Sequence, residues 1–135
     1  MKQKEINYSL MWAEAVDDQD ESIRKSARTP ESWDSRVSRQ AFGIYKLQCF
    51  CHRLAAKYQS PWLQLEPVEA GRLYLLNKHH WDPSLVKRLN LIDLLLFLHE
   101  ELVNMQLTHE EWEPVHNWSM HHGCYADLAE SAPTP

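Results

Sequence analysis

Glycine is scarce in this chain, and its scarcity argues against a turn-rich β fold. Three glycines stand against seven prolines in 135 residues. The prolines lie between stretches with helical spacing, where they favour sharp helix boundaries. No stretch alternates strictly enough between polar and apolar residues to require a sheet. We therefore predict an all-α compact bundle of about five or six helices, built as a single domain over residues 1–130 with a disordered tail at residues 131–135.

Long apolar runs are also missing. The longest, at residues 94–98, is far too short to span a bilayer, and the first ten residues contain no apolar signal core. Three cysteines at irregular spacing, Cys49, Cys51 and Cys124, do not form a disulfide framework. We expect a cytoplasmic protein that holds no cofactor and does not bind a membrane.

Positive charge is absent from the last third of the chain. Residues 36–88 contain three acidic and nine basic residues, whereas residues 89–135 contain eight acidic residues and no lysine or arginine. This segregation indicates either that the acidic end folds back on the basic middle or that the two segments present surfaces of opposite sign to partners. We favour internal pairing, because one compact domain brings the segments together.

The most apolar segment is predicted to be the central helix of the bundle. Eleven of the seventeen residues at 91–107 are large and apolar, and at about 100° per residue they form a broad arc. His99 and Gln106 fall inside this arc, so we predict that both side chains are partly buried and hydrogen-bonded. Only a narrow polar seam is left for water, formed by Asp93, Glu100 and Asn104.

Local start signals divide the first half of the chain into helices. We expect a first helix at residues 4–27. A second should begin at Thr29 and Pro30, a plausible N-cap and first-position pair, and run to about residue 58. Residues 68–78 favour a helix, with a strand as the alternative.

The signals in the second half predict breaks as well as starts. Asp82 and the proline that follows it should begin a short helix. Asn90 and the aspartate three residues later form a pattern related to the capping box and can begin a new helix. Thr108 and Glu111 have capping-box spacing, but Pro114 would cost a hydrogen bond in that helix. We therefore expect a turn and a restart near Pro114, with a C-cap at Gly123.

Candidate partner-binding residues come from the second predicted helix and from tryptophans near helix boundaries. That helix has a core-facing row of apolar residues on one side and, roughly opposite, a basic stripe flanked by two phenylalanines. It is therefore expected to make packing or partner contacts on both sides. Six tryptophans are many for this length, and indoles are enriched at interfaces, although core packing is their commoner use. The candidates are Arg39, Phe42, Lys46, Phe50, Arg53, Lys57, Trp62, Trp81 and Trp112.

Metal binding is an alternative suggested by the histidines, seven of which lie between residues 79 and 122. His109, Glu113 and His116 would share one helix face and contain a Glu-x-x-His pair of the kind found in carboxylate-bridged metal bundles. Two such pairs are normally needed and only one is present, so ordinary surface histidines are the favoured interpretation.

The absence of catalytic patterns decides the function class that we expect. No serine-histidine-acid or cysteine-histidine arrangement and no glycine-rich phosphate loop is recognisable. We therefore expect a non-enzymatic regulator, inhibitor or adaptor that binds another protein, with homodimerisation through the second helix as a further expectation. Nucleic-acid binding through the basic stripe is the second alternative, although the chain lacks the excess positive charge typical of DNA-binding proteins.

Overall fold

The computed structural model describes residues 6–26, 33–122 and 128–133, and these ranges contain seven α-helices and no strand. The all-α prediction is confirmed, and the segment that the sequence left open between helix and strand is helical. The helices are α1 (Tyr8–Ser26), α2 (Trp33–Tyr58), α3 (Pro67–His79), α4 (Pro83–Val86), α5 (Leu91–Phe97), α6 (His99–Asn104) and α7 (His109–His122), followed by a 3-10 turn at Ala129–Ser131.

Side-chain caps explain where several helices begin. The Asp82 carboxylate accepts from the Ser84 backbone N–H at 2.9 Å and starts α4 as predicted. Asn90 and Asp93 form a reciprocal capping box that starts α5, so this predicted restart is confirmed as well. The Thr29 start signal and the Gly123 C-cap lie outside the described residues.

The predicted central helix at 91–107 is wrong as a single element. Leu98, with φ −100° and ψ 11°, ends α5, and α6 ends at Asn104. Helical hydrogen bonding nevertheless continues on both sides of the break, because Leu98 N–H donates to the Leu94 carbonyl and Leu102 N–H donates to the Leu98 carbonyl, both at 2.9 Å. Burial also continues across the break, because Leu94, Leu98 and Leu102, which are four residues apart, are all buried.

The predicted restart near Pro114 is also wrong, because α7 runs through that residue. Its start is fixed by the predicted capping box, in which Glu111 N–H donates to the Thr108 hydroxyl at 3.2 Å and Thr108 N–H donates to the Glu111 carboxylate at 2.8 Å. Pro114 lacks only the N–H that would reach the Glu110 carbonyl. The helix tolerates this single loss.

The chain divides into two compact units. Unit 1 contains residues 46–104 and therefore the second half of α2 together with α3 to α6. The described residues of unit 2 are 6–26, 33–45, 105–122 and 128–133, with α1, the first half of α2, α7 and the 3-10 turn. The single-domain prediction stays a prediction.

The core of unit 2 is aromatic. The Trp12 ring makes edge contacts with Tyr45 at 5.4 Å, with Trp118 at 5.6 Å and with Phe42 at 6.3 Å between ring centroids. The Tyr45 hydroxyl donates to the Glu111 carbonyl. These contacts bury large rings between α1, α2 and α7, which is the usual role of aromatic residues in a small core.

The 3-10 turn at Ala129–Ser131 is hydrogen-bonded within unit 2. Leu107 N–H donates to the Ser131 carbonyl at 3.0 Å. Ser131 belongs to the 3-10 turn, so the predicted disordered tail does not include this residue.

The core of unit 1 is aliphatic and closely packed. Leu94, Leu98 and Leu75 are fully buried. A Cβ added at Gly71 of α3 would lie 3.0 Å from Cys51 Sγ and 3.3 Å from a Leu94 methyl. The small residue lets α3 approach α5 closely.

Candidate functional site

The most unusual surface of unit 1 is an aliphatic face that none of the described residues covers. Ile92 is 64% exposed, Leu96 70% and Val103 63%. With the exposed His99, they follow the spacing i, i+4, i+7 and i+11, which corresponds to about 60° of an uninterrupted helical wheel. We call these four residues, three aliphatic residues and one histidine, the apolar stripe.

The opposite side of the same helices is part of the core. Leu94, Leu98 and Leu102 are buried and lie about 170°, 130° and 90° from the stripe centre on an uninterrupted wheel. Leu91 and Leu95, between the two faces, are half-buried. The sequence predicted that this segment is covered on most sides, but the described residues cover it on one side and leave the other side exposed.

The predicted burial of His99 and Gln106 is wrong, because both residues are exposed. His99 does lie inside the apolar arc of the wheel, but it lies in the half of the arc that remains open to solvent. Gln106 follows the end of α6 and is not helical. Neither residue lines a buried polar site.

Acidic residues border the stripe on one side. Glu100 is exposed and Asp93 is half-buried, and on an uninterrupted wheel they lie about 70–90° from the stripe centre. Asp93 also accepts from the Asn90 N–H in the capping box. We call Asp93 and Glu100 the acidic edge.

A cation from α3 neutralises the next acid. Lys78 forms an ion pair with Glu101, whose carboxylate also accepts from the Tyr74 hydroxyl at 3.4 Å. Burial acts to raise the pKa of Glu101, but the hydrogen bond and positive charge of Lys78 outweigh it and lower that pKa. The same hydrogen bond raises the pKa of Lys78. This pair joins the basic middle to the acidic end, as the internal interpretation of the charge pattern predicts.

An aromatic cluster lies beyond the acidic edge. His79 stacks on Trp81 with 4.6 Å between ring centroids, and Trp81 meets the edge of Phe97 at 5.3 Å. Phe97 is 43% exposed, and Trp81 is half-buried. Trp81 therefore remains a candidate for partner contact, and the cluster adds apolar surface near the stripe.

Three of the predicted partner-binding residues are buried and are removed from that set. Phe42 and Trp112 pack edge to face in the core of unit 2 at 6.3 Å. Lys46 is buried and donates to the Leu102 carbonyl near the end of α6. Burial, and secondarily the charge of Arg53, lowers the pKa of Lys46.

The remaining predicted partner-binding residues reach the surface to different extents. Arg39, Arg53 and Lys57 are exposed, and Phe50 is half-buried against the Tyr74 ring at 5.5 Å. The basic stripe thus loses Lys46 from its middle, which weakens the case for a continuous phosphate-binding surface.

Trp62 is the most exposed large apolar side chain of the described residues, at 85%. It lies in a tight turn closed by two backbone hydrogen bonds, from Ser60 N–H to the Leu63 carbonyl at 3.0 Å and from Leu63 N–H to the Ser60 carbonyl at 3.3 Å. Its predicted role in partner binding stays a prediction.

The metal alternative finds no support in the described residues, where no group of three histidine, cysteine or acidic side chains could hold an ion. His109 and Glu113 are exposed, and His116 contacts the Trp112 ring at 6.2 Å.

The two described cysteines are buried in unit 1. Cys49 and Cys51 are free thiols. Burial raises the pKa of Cys51 to about 12, so this thiol is not a nucleophile near neutral pH. Cys124 lies outside the described residues.

A shallow cavity of about 430 Å³ lies in unit 2, at the beginning of α1 and of α7. It is lined by residues 6–9 and by Glu110, Glu113 and Pro114. Two exposed carboxylates at its rim do not by themselves define a ligand.

Comparison with known proteins supplies no relative: no family model, curated protein or solved structure matches the chain. Among the helices of the described ranges, none combines the length and the apolar character that crossing a bilayer requires. The exposed surfaces of the described residues are therefore the basis for a functional proposal.

Proposed function

We propose that this chain is a small non-enzymatic protein of the cytoplasm that acts as a regulator, inhibitor or adaptor, and that it binds another protein through the apolar stripe. The observation that carries the proposal is the exposure of Ile92, Leu96 and Val103 on one helix face. Single exposed apolar residues are ordinary on protein surfaces, but an ordered row of them is typical of a docking site.

The energy available at this face is sufficient for recognition. Full burial of a valine, leucine or isoleucine side chain contributes about 1.5–3 kcal/mol, and roughly two thirds of each of these three side chains is still accessible. A partner that covered them would gain about 3–6 kcal/mol before the cost of association. Contacts with the aromatic cluster at Trp81 and Phe97 would add to this gain.

Site-specific photo-crosslinking tests the proposal in cells of the native host. A benzoylphenylalanine placed at Leu96 should form a covalent adduct with one defined protein. The matched control places the same group at Leu10, which is 53% exposed on α1 in unit 2 and is not on the stripe. We expect the adduct at Leu96 and none of the same mass at Leu10. Equal adducts at both positions, or none at either, would contradict the proposal.

A further inference from the structure

The charge beside the apolar stripe limits what can bind there. Building on the proposed function, we infer that the partner presents an amphipathic helix with a row of aliphatic side chains and a basic edge that lies over Asp93 and Glu100. The inference rests on the shape of the stripe, on the acidic edge beside it and on the lack of compensating charge in the same segment of the chain.

The shape of the stripe favours a helix as the bound element. Its four residues extend from Ile92 on α5 to Val103 on α6, eleven positions that an uninterrupted helix would cover in about 16 Å. A single raised row of this length matches the groove between side-chain rows of a second helix lying lengthwise on it. About three turns of a partner helix are enough to cover the row.

Among the residues of α5 and α6 that border the stripe, the charge is negative on one side and absent on the other. Asp93 and Glu100 border one side, whereas the half-buried Leu91 and Leu95 border the other. The nearby cation Lys78 is already matched by Glu101. A helix seated on the stripe therefore brings one of its edges over two carboxylates, and lysine or arginine on that edge is favoured there.

A second copy of this chain is a poor occupant of the stripe. Residues 89–135 contain no lysine or arginine, so another stripe would bring acids and no bases from this segment. In an antiparallel helix pair related by a twofold axis, both acidic edges lie on the same side of the contact, where they repel one another.

Peptide binding tests the inference directly. The probe is an eighteen-residue helical peptide (roughly five turns) with leucine at i, i+4, i+7 and i+11 and lysine along one edge, and the matched probe has glutamate in place of each lysine. We expect the lysine peptide to bind the full chain at least about tenfold more tightly in low salt, with the preference shrinking as salt is added. Leu96→Glu should abolish binding of both peptides.

Charge reversal on the protein should exchange the preference. Glu100→Lys should weaken the lysine peptide about fivefold or more and strengthen the glutamate peptide. Glu110→Lys is the matched control, because it changes the same charge in the first turn of α7 in unit 2, and it should change neither affinity.

Three results would overturn the inference. The first is equal affinity for the two peptides or no effect of Glu100→Lys, and the second is no binding of either peptide. The third is dimerisation of the wild type, seen by light scattering and lost in Leu96→Glu. The first two would leave the proposed function standing if the crosslink at Leu96 still forms, whereas loss of that crosslink would remove the proposed function itself.

Discussion

Lys46 shows how a residue predicted for the surface becomes part of the core. Its ammonium group is buried but donates to the Leu102 carbonyl, one of the last carbonyls of α6, which have no partner within a short helix. A cation near a helix C-terminus is also favoured by the helix dipole. The cost of burial, visible in the lowered pKa, is thus offset by a specific acceptor.

Replacement of this lysine should destabilise the fold. We expect Lys46→Ala to lower the free energy of unfolding by about 2–3 kcal/mol, because it removes buried methylenes and leaves the Leu102 carbonyl without this donor. Urea unfolding followed by circular dichroism measures the change. The control is Lys57→Ala on the exposed last turn of the same helix, for which a change within about 0.5 kcal/mol is expected. Equal losses in the two variants would contradict this account of Lys46.

The Glu101 ion pair predicts a stability loss in acid. The pKa of Glu101 is lower in the folded chain than the ordinary value of 4.5, so its contribution is fully present above about pH 5 and is lost as the pH falls through the folded pKa. Glu101→Gln should remove this contribution, and the variant should therefore lose less stability than the wild type between about pH 5 and pH 3. Thermal unfolding across that range, with Glu110→Gln as control, measures the difference. Parallel curves for wild type and Glu101→Gln would contradict the prediction.

At the scale of single residues, the sequence predicts which way a side chain points better than whether anything covers it. The wheel placed His99 correctly within the apolar arc, but its exposure depends on how far the neighbouring helices extend around α5 and α6. Phe42 and Trp112 illustrate the same limit, because a large ring is equally suited to a core and to an interface. One signal for the stripe was present: Ile92, Leu96 and Val103 widen the arc beyond what one covered face requires.

At the scale of helices, caps predicted starts reliably because they depend on nearby residues alone. Asp82, Asn90 and Thr108 each form the expected side-chain bonds. The break at Leu98 has no such local signal, since leucine is a good helix former. Breaks of this kind depend on packing, which a helical wheel does not contain.

The continuity of α7 through Pro114 leads to a prediction at the same scale. Proline in a helix interior removes one hydrogen bond and is about 3 kcal/mol less favourable than alanine. Pro114→Ala should therefore raise the free energy of unfolding by about 1–3 kcal/mol, with the Glu110 carbonyl gaining a donor. Urea denaturation would show the gain as a higher midpoint. An unchanged or lower midpoint would show that the proline ring itself stabilises α7.

For the fold as a whole, composition predicted the all-α class. The charge pattern predicted ion pairs between the basic middle and the acidic end of the chain, and the pair between Lys78 and Glu101 is of this kind. The division into two compact units was not predicted, because the boundary falls inside α2 after Tyr45, where periodicity continues without interruption. The apolar stripe belongs entirely to unit 1.

Quantitative affinity capture from the native host measures whether the apolar stripe binds a partner protein. Wild type, Leu96→Glu and Leu10→Glu are compared after circular dichroism has shown that all three are folded. We expect wild type and Leu10→Glu to capture equal amounts of one partner protein. Leu96→Glu should capture at least about tenfold less, because burying an unpaired carboxylate in the interface lowers the affinity by more than a factor of ten. Capture that is equal in all three proteins would contradict this expectation.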